Sequence, residues 1–355
     1  MINRRILLQR SALVGSMVSL ACLSDLRAFA ATGISAVEWG GDVVAAMKEI
    51  TAKQSDVTVN WTLLQGGAAS ILPKIKASWP APEFDYVAGW EGSFQTMINE
   101  GWLETITPAD VPNIADIPEK VIIKDATGAW KAVPRAVGGI YFGYRKDTSP
   151  VEVKSLDDLF SPSLKGLICW PGPTQCMMLQ IVALALHAGG SENDMEPGWK
   201  LMKELAKAGN IGRVATADIE FSNSISSGET AVGCFAEPAW GAVAKNFEVV
   251  RLTKQKGIPA FLYQSGFGVL KNRSNKAATL KFIDFCITPE MNALYASVAG
   301  EAPLNVKAQA PDALKHLAFT AAEMDEFVYI PDFSVVLAKQ DEWAKRWEDE
   351  IAPLL

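Results

Sequence analysis

The sequence predicts an α/β chain folded as two lobes on largely parallel sheets, and three observations predict it. Strand-length apolar runs alternate with helical periodicities along the whole chain, the pattern of parallel strands linked by crossover helices. Behind a leader of 30 residues, 325 of the 355 residues remain, more than one small domain at roughly 100–200 residues per domain. Two extended stretches, Trp130 to Arg145 and Ala260 to Leu270, are long enough to cross from one lobe to the other. Apolar residues at 49% and charged residues at 21% are ordinary for a globular chain with a full core.

The leader comes first. Asn3-Arg4-Arg5-Ile6-Leu7-Leu8-Gln9-Arg10 is followed by the apolar run Ala12 to Leu23 and by Ala28-Phe29-Ala30 before Ala31. A charged opening, an apolar run and a small-x-small cleavage site make residues 1–30 a signal peptide. Arg4-Arg5 with Ile6 and Leu7 has the form of a twin-arginine (Tat) export signal, although Asn3 and Gln9 are looser than that motif. Export is therefore read, to the periplasm, and the route stays open between Sec and twin-arginine. The apolar run is shorter than the ~20 residues a span needs. Ser19-Leu20-Ala21 ahead of Cys22 is a poor lipobox.

Ser35 to Glu38 reads as the first strand, and Val43, Val44, Met47 and Ile50 follow at helical spacing. Val57 to Leu64 is the second strand, Ala68 toward Ser78 a helix, Phe84 to Ala88 a third strand, and Phe94, Met97 and Ile98 mark the next helix. After the first crossing, Ser155 caps a helix with Asp157 and Asp158 in its first turn. Gly166 to Cys169 is a strand, Gln175 to Ala188 a helix, and Pro197 to Ala208 a helix closed by Gly209. Thr230 to Phe235 and Glu248 to Leu252 are strands ahead of the return crossing. Asn275 to Cys286 and Glu290 to Ala299 are helices back on the first lobe, and Leu337, Trp343, Trp347 and Ile351 define an amphipathic tail helix. The domain reading is residues 31–136 with 265–308 for lobe 1, and 137–264 with 309–355 for lobe 2.

Charge narrows the partners. The leader carries Arg4, Arg5, Arg10 and Arg27 against Asp25, so its removal takes the chain from −7 to −10. Such a surface repels phosphate backbones, and no nucleic-acid partner is expected. Four cysteines remain, Cys169, Cys176, Cys234 and Cys286. Four cysteines allow three disulfide pairings in an oxidising compartment. Their apolar neighbours favour buried free thiols, and no pair has metal-ligand spacing.

One constellation rises above this background. Trp39, Trp90, Trp170 and Trp240 each fall near a strand's carboxyl end, where open α/β sheets hold ligands. Gly or Pro adjoins them, so the backbone turns there. Glu38, Glu91 and Glu237 accompany three of the four. Aromatic faces with carboxylates suit an ammonium group that has lost its water. A lone tryptophan near a turn is as often packing as ligand contact, and four in one position carry the reading. Trp61, Trp79, Trp102, Trp130 and Trp199 lack that position and are read as packing.

Gly89-Trp90-Glu91-Gly92-Ser93-Phe94, Gly138-Gly139-Ile140-Tyr141-Phe142-Gly143-Tyr144, Trp170-Pro171-Gly172-Pro173 and Gly228-Glu229-Thr230-Ala231-Val232-Gly233 resemble the extracellular solute-binding proteins of bacterial ABC importers, in the polyamine or putrescine receptor branch. The resemblance covers nearly all of the mature chain. It implies the two-lobed type II periplasmic binding protein fold, closing like a hinge around a solute, with the importer permease as partner and a monomeric state. It implies no cofactor. Trp39, Trp90, Trp170, Glu237 and Trp240 match ligand-facing places, and Glu91 stands beside Trp90. Arg213 is open: facing inward it would clamp a carboxylate and imply a γ-aminobutyrate-like amino acid, and facing outward it is a surface charge and a polyamine is implied.

An enzyme is the rival from another class. His187 and His316 are the two histidines, neither beside a nucleophile motif, and no G-x-S-x-G, P-loop or H-E-x-x-H pattern occurs. No catalytic residue is assigned, and a hydrolase on the same fold is the alternative. A ferric-ion receptor would want clustered tyrosines, and the six tyrosines are scattered. An oxyanion receptor would avoid carboxylates at the site. A sensory receptor docking on a membrane sensor stays open.

Overall fold

The computed structural model describes residues 31–64, 68–173 and 175–355; the leader read at residues 1–30 lies outside them. The first half begins with β1 (Thr32–Glu38), α1 (Asp42–Thr51), β2 (Val57–Leu63), α2 (Leu72–Ser78), β3 (Tyr86–Trp90) and α3 (Glu91–Asn99). β1 pairs in parallel with β2 and β3, as connections through helices require. Val44, Met47 and Ile50 of α1 turn inward, the face that their spacing predicts.

The short β4 (Ile123–Lys124) leads to β5 (Trp130–Arg145), a single 16-residue strand. The second half then carries β6 (Ile168–Pro171), α4 (Leu179–His187), α5 (Glu196–Ala208), β7 (Ile211–Ala215), α6 (Asp218–Ser227), β8 (Val232–Ala236), α7 (Glu237–Ala244) and β9 (Val249–Arg251). β10 (Ala260–Val269) brings the chain back to α8 (Lys276–Cys286), α9 (Pro289–Ala299) and β11 (Ala302–Pro303). The last segments are α10 (Ala321–Phe327), β12 (Val328–Tyr329) and α11 (Phe333–Glu350), whose Trp343 and Trp347 are buried as the tail pattern predicts.

Strand order is β2-β1-β3-β10-β5-β8-β6-β7, with the two long strands in the middle. β5 pairs with β10 from Val133 to Ile140, and from Ile140 to Tyr144 it pairs with β8. β10 answers: Phe261 to Phe267 lie against β5, and Ser265 to Val269 also pair with β3. Each long strand therefore leaves one half and enters the other near Gly138 and Ser265, so both extended stretches cross as the sequence predicts. Close approach demands glycine there. A Cβ on Gly138 would fall 2.1 Å from the Tyr263 ring, and one on Gly266 would fall 2.3 Å from the Val133 carbonyl oxygen.

Two helices differ from expectation. Ser155 does form a capping box with Asp158, but only a 3-10 turn, Leu156–Phe160, follows, because Pro162 holds Ser161 extended. The helix read from Gln175 starts at Leu179, since Cys176, Met177 and Met178 all have φ between 51° and 59°, a left-handed turn that costs non-glycine residues. α6 and α7 are two further helices, not read from the sequence. The four cysteines are free, three of them buried, as the apolar context predicts, and burial pushes the Cys169 thiol up to about 12.

Beneath the crossing lies an ion pair. Arg135 on β5 and Glu38 at the end of β1 are both fully buried, with Nη1–Oε2 at 2.8 Å and Nη2–Oε1 at 3.4 Å. The guanidinium lies over Tyr295 at 4.2 Å and Phe267 at 4.9 Å. Burial pushes the Glu38 carboxyl above its usual range, and Arg135 pulls against it. Arg135→Met should cost about 3–5 kcal/mol in urea denaturation, because it strands a buried carboxylate, and adding Glu38→Leu should recover most of the loss.

Candidate functional site

The cavity that the two halves share has a volume of about 470 Å³ and sits at the carboxyl ends of β1, β3 and β8, where an α/β sheet presents ligand positions. Trp39, Val43 and Trp90 line it from the first half. Gln175, Cys176, Met177, Asp218, Phe235 and Ala236 line it from the second. Ile140, Tyr263 and Ser265 come from the crossing strands, and Glu301 from the turn after α9.

Two of the sequence-derived tryptophans are there. Trp39 follows β1, whose hydrogen-bonded register with β2 and β3 sets its height. Trp90 ends β3, and its ring lies over Gly92, where a Cβ would meet it at 2.6 Å. The other two are core. Trp170 is fully buried beside Phe142 at 6.2 Å. Trp240 is fully buried too, stacked with Tyr141 and edge-on to Phe221 at 4.8 Å, with its indole N–H donating to the Tyr141 carbonyl at 3.3 Å.

The carboxylates redistribute as well. Glu38 is committed to Arg135. Glu237 accepts a hydrogen bond from the Tyr141 hydroxyl, lies 2.7 Å from His316 Nε2 and 3.7 Å from Arg251 Nε, and is not part of the lining. Its partners come from β5, β9 and the segment before α10, so it ties those elements together. The side chain of Glu91 lies outside the described residues. Arg213 stands on β7 at the end of the sheet, 40% exposed and 3.5 Å from Glu229, and it does not line the cavity.

In their place the structure brings in two acids that sequence reasoning missed. Glu301 accepts from Ser265 Oγ at 2.6 Å and Tyr295 Oη at 2.8 Å, neither of which neutralises its charge. The nearby cation, Arg135, is held by Glu38. Asp218 begins α6, and burial raises its carboxyl above the usual range. Tyr263 shares the lining with these acids and is kept protonated first by burial and then by the charges of Glu301 and Asp218. Among the described lining residues there is no arginine, lysine or histidine. Two carboxylates, two indoles and a phenol without a counter-cation can hold a positively charged group.

Asp218 was legible in principle, since it follows strand β7 as the tryptophans follow theirs. Glu301 was not, because only the pairing of β11 with Ala136 and Val137 brings its turn beside β10. Trp170→Ala and Trp240→Ala should each lower stability by about 3–5 kcal/mol in chemical denaturation, the cost of emptying a core aromatic site. Trp39→Ala, with its ring half-exposed at the cavity, should lose well under half of that.

Comparison with known proteins agrees with this architecture. The family model described as bacterial extracellular solute-binding protein matches residues 45–321. Iron uptake protein A1 of Synechocystis sp. is 25% identical over 275 residues, 72% of each chain. Among solved structures, an ABC transporter protein of Clostridium perfringens superposes with a TM-score of 0.75 at 22% identity, over 90% of this chain and 99% of that one. The spermidine/putrescine ABC transporter substrate-binding protein of Streptococcus pneumoniae superposes with a TM-score of 0.70 at 17% identity, with the same coverage. These likenesses are of fold, two lobes around a cleft. With more than half of its length matched by the family model and a cleft cavity at the crossing, the chain belongs to the bacterial extracellular solute-binding proteins.

Proposed function

We propose that this chain is the periplasmic receptor of an ABC importer and that it binds a small organic cation, a di- or polyamine of the putrescine and spermidine class, between its lobes. The observation that carries the reading is Glu301, lining the cavity while the guanidinium of Arg135 is taken by Glu38. A second acid, Asp218, lies on the other half, so a solute with two ammonium groups has a carboxylate for each. The family match, the transporter names of similar structures and the leader support the import role. We place the lobe boundaries at residues 31–136 with 265–308 and 137–264 with 309–355, with the hinge where β5 and β10 cross. A solute touching Trp39 or Trp90 and Asp218 at once favours closure, since only contacts made to both lobes distinguish the closed state.

A γ-aminobutyrate-like zwitterion is less well served. Its carboxylate would enter a cavity whose described lining holds two acids and no cation, and Arg213 is outside. The iron named for the Synechocystis relative calls for clustered oxygen donors, and Tyr263 is the single described tyrosine in the lining.

Titration calorimetry with putrescine, spermidine, γ-aminobutyrate and ferric citrate tests the reading. Amines should bind, Glu301→Gln should weaken them by about 2–5 kcal/mol as the ammonium loses its buried partner, and Arg213→Ala should change every affinity by no more than a few-fold. Tight binding of ferric ion or γ-aminobutyrate with no response to amines would refute it. The pH dependence has a definite sign. A cation binds ionised Asp218, so affinity is lost as pH falls through a value above the ordinary aspartate pKa of about 3.9. Asp218→Asn should flatten that profile.

A further inference from the structure

Trp90 has a second neighbour besides the cavity. Phe333 packs edge-on against it, with ring centroids 6.1 Å apart and planes at 84°. The two rings belong to opposite halves. Trp90 packs with the cluster of Val37, Phe94 and Met97 in the first half. Phe333 opens α11, which buries Val336, Trp343 and Trp347 in the cluster of Trp170 and Trp199 in the second half. Its start is pinned there as well. Glu192 accepts from the Asp332 backbone N–H at 2.7 Å and from the Tyr329 hydroxyl at 2.6 Å, and Asp332 caps the helix by accepting from the Ser334 N–H at 2.9 Å.

Phe333 does not line the cavity, yet it is only 3% exposed. If the halves separate, this ring and the outer edge of Trp90 both lose that cover, and apolar surface is returned to water. We propose that Phe333 is a positioning residue of the site, a cross-cleft latch that engages Trp90 when the lobes close and sets how much of the solute-free protein is closed. Apparent affinity scales with the population of the binding-competent state, so the latch tunes binding without touching solute. It rests on the hinge reading above and is independent of which solute binds.

Small-angle X-ray scattering and thermal unfolding of the solute-free mature chain test it, so a failure here is separate from a failure of the amine reading. Phe333→Ala should shift the closed-to-open ratio by roughly 2- to 12-fold, the contribution of an edge-to-face aromatic pair. The radius of gyration should then rise above the about 20 Å of a compact chain of this size, and Phe333→Leu should restore part of the change. Superimposable profiles for the unmodified protein and Phe333→Ala, whether or not the thermal midpoint falls, would overturn the latch. Should Phe333→Ala fail to fold, Trp90→Ala makes the same comparison in the solute-free chain by removing the other ring of the pair, and an unchanged profile would overturn it equally.

Discussion

The antiparallel pairing of β5 with β10 is the constraint on which the rest of the molecule depends. Both strands belong to both halves, so one ladder of hydrogen bonds joins the two halves in a continuous sheet and sets the axis about which they can move. The ladder tolerates no side chain at Gly266, where a Cβ would meet the Val133 carbonyl oxygen, and at Gly138 the Tyr263 ring takes the space that a Cβ would need. That same packing leaves Tyr263 and Ser265 at the cavity floor and Ile140 beside them. A register slip of one residue would turn these side chains to the opposite face, so the strand pairing determines the site as much as the fold.

The electrostatic character of the cavity follows from what lies just beneath it. Arg135 enters the crossing on β5, and an arginine there would ordinarily neutralise any acid in reach. Glu38 occupies both of its terminal nitrogens, and Tyr295 and Phe267 cover its faces. Glu301 is left with two hydroxyl donors, Ser265 and Tyr295. A buried ion pair is weak evidence for stability; here its consequence is that Arg135 is taken up by Glu38 and makes no hydrogen bond to Glu301.

Much of this was legible from sequence, and the remainder failed for identifiable reasons. The alternation of strands and helices, both crossings, the capped α5 and the amphipathic α11 follow from periodicity and turn chemistry. Trp39 and Trp90, singled out by their position at strand ends, line the cavity. Trp170 and Trp240 share that position, but strand-end placement does not say which way a ring points. Trp170 lies within β6 and Trp240 one turn into α7, both directed to the core. Glu237 looked like a ligand carboxylate because its partners, Tyr141 and His316, lie 96 and 79 residues away in sequence. Glu301 carries no local signal at all, since it gains meaning only when tertiary pairing sets it beside Ser265.

The most direct test of the cationic cavity is a crystal structure of the mature chain with its solute bound. The account predicts a positively charged nitrogen within about 2.7–2.9 Å of a Glu301 carboxylate oxygen, with an indole of Trp39 or Trp90 against the solute. A solute carboxylate or a tyrosine-bound metal ion in that place would contradict it.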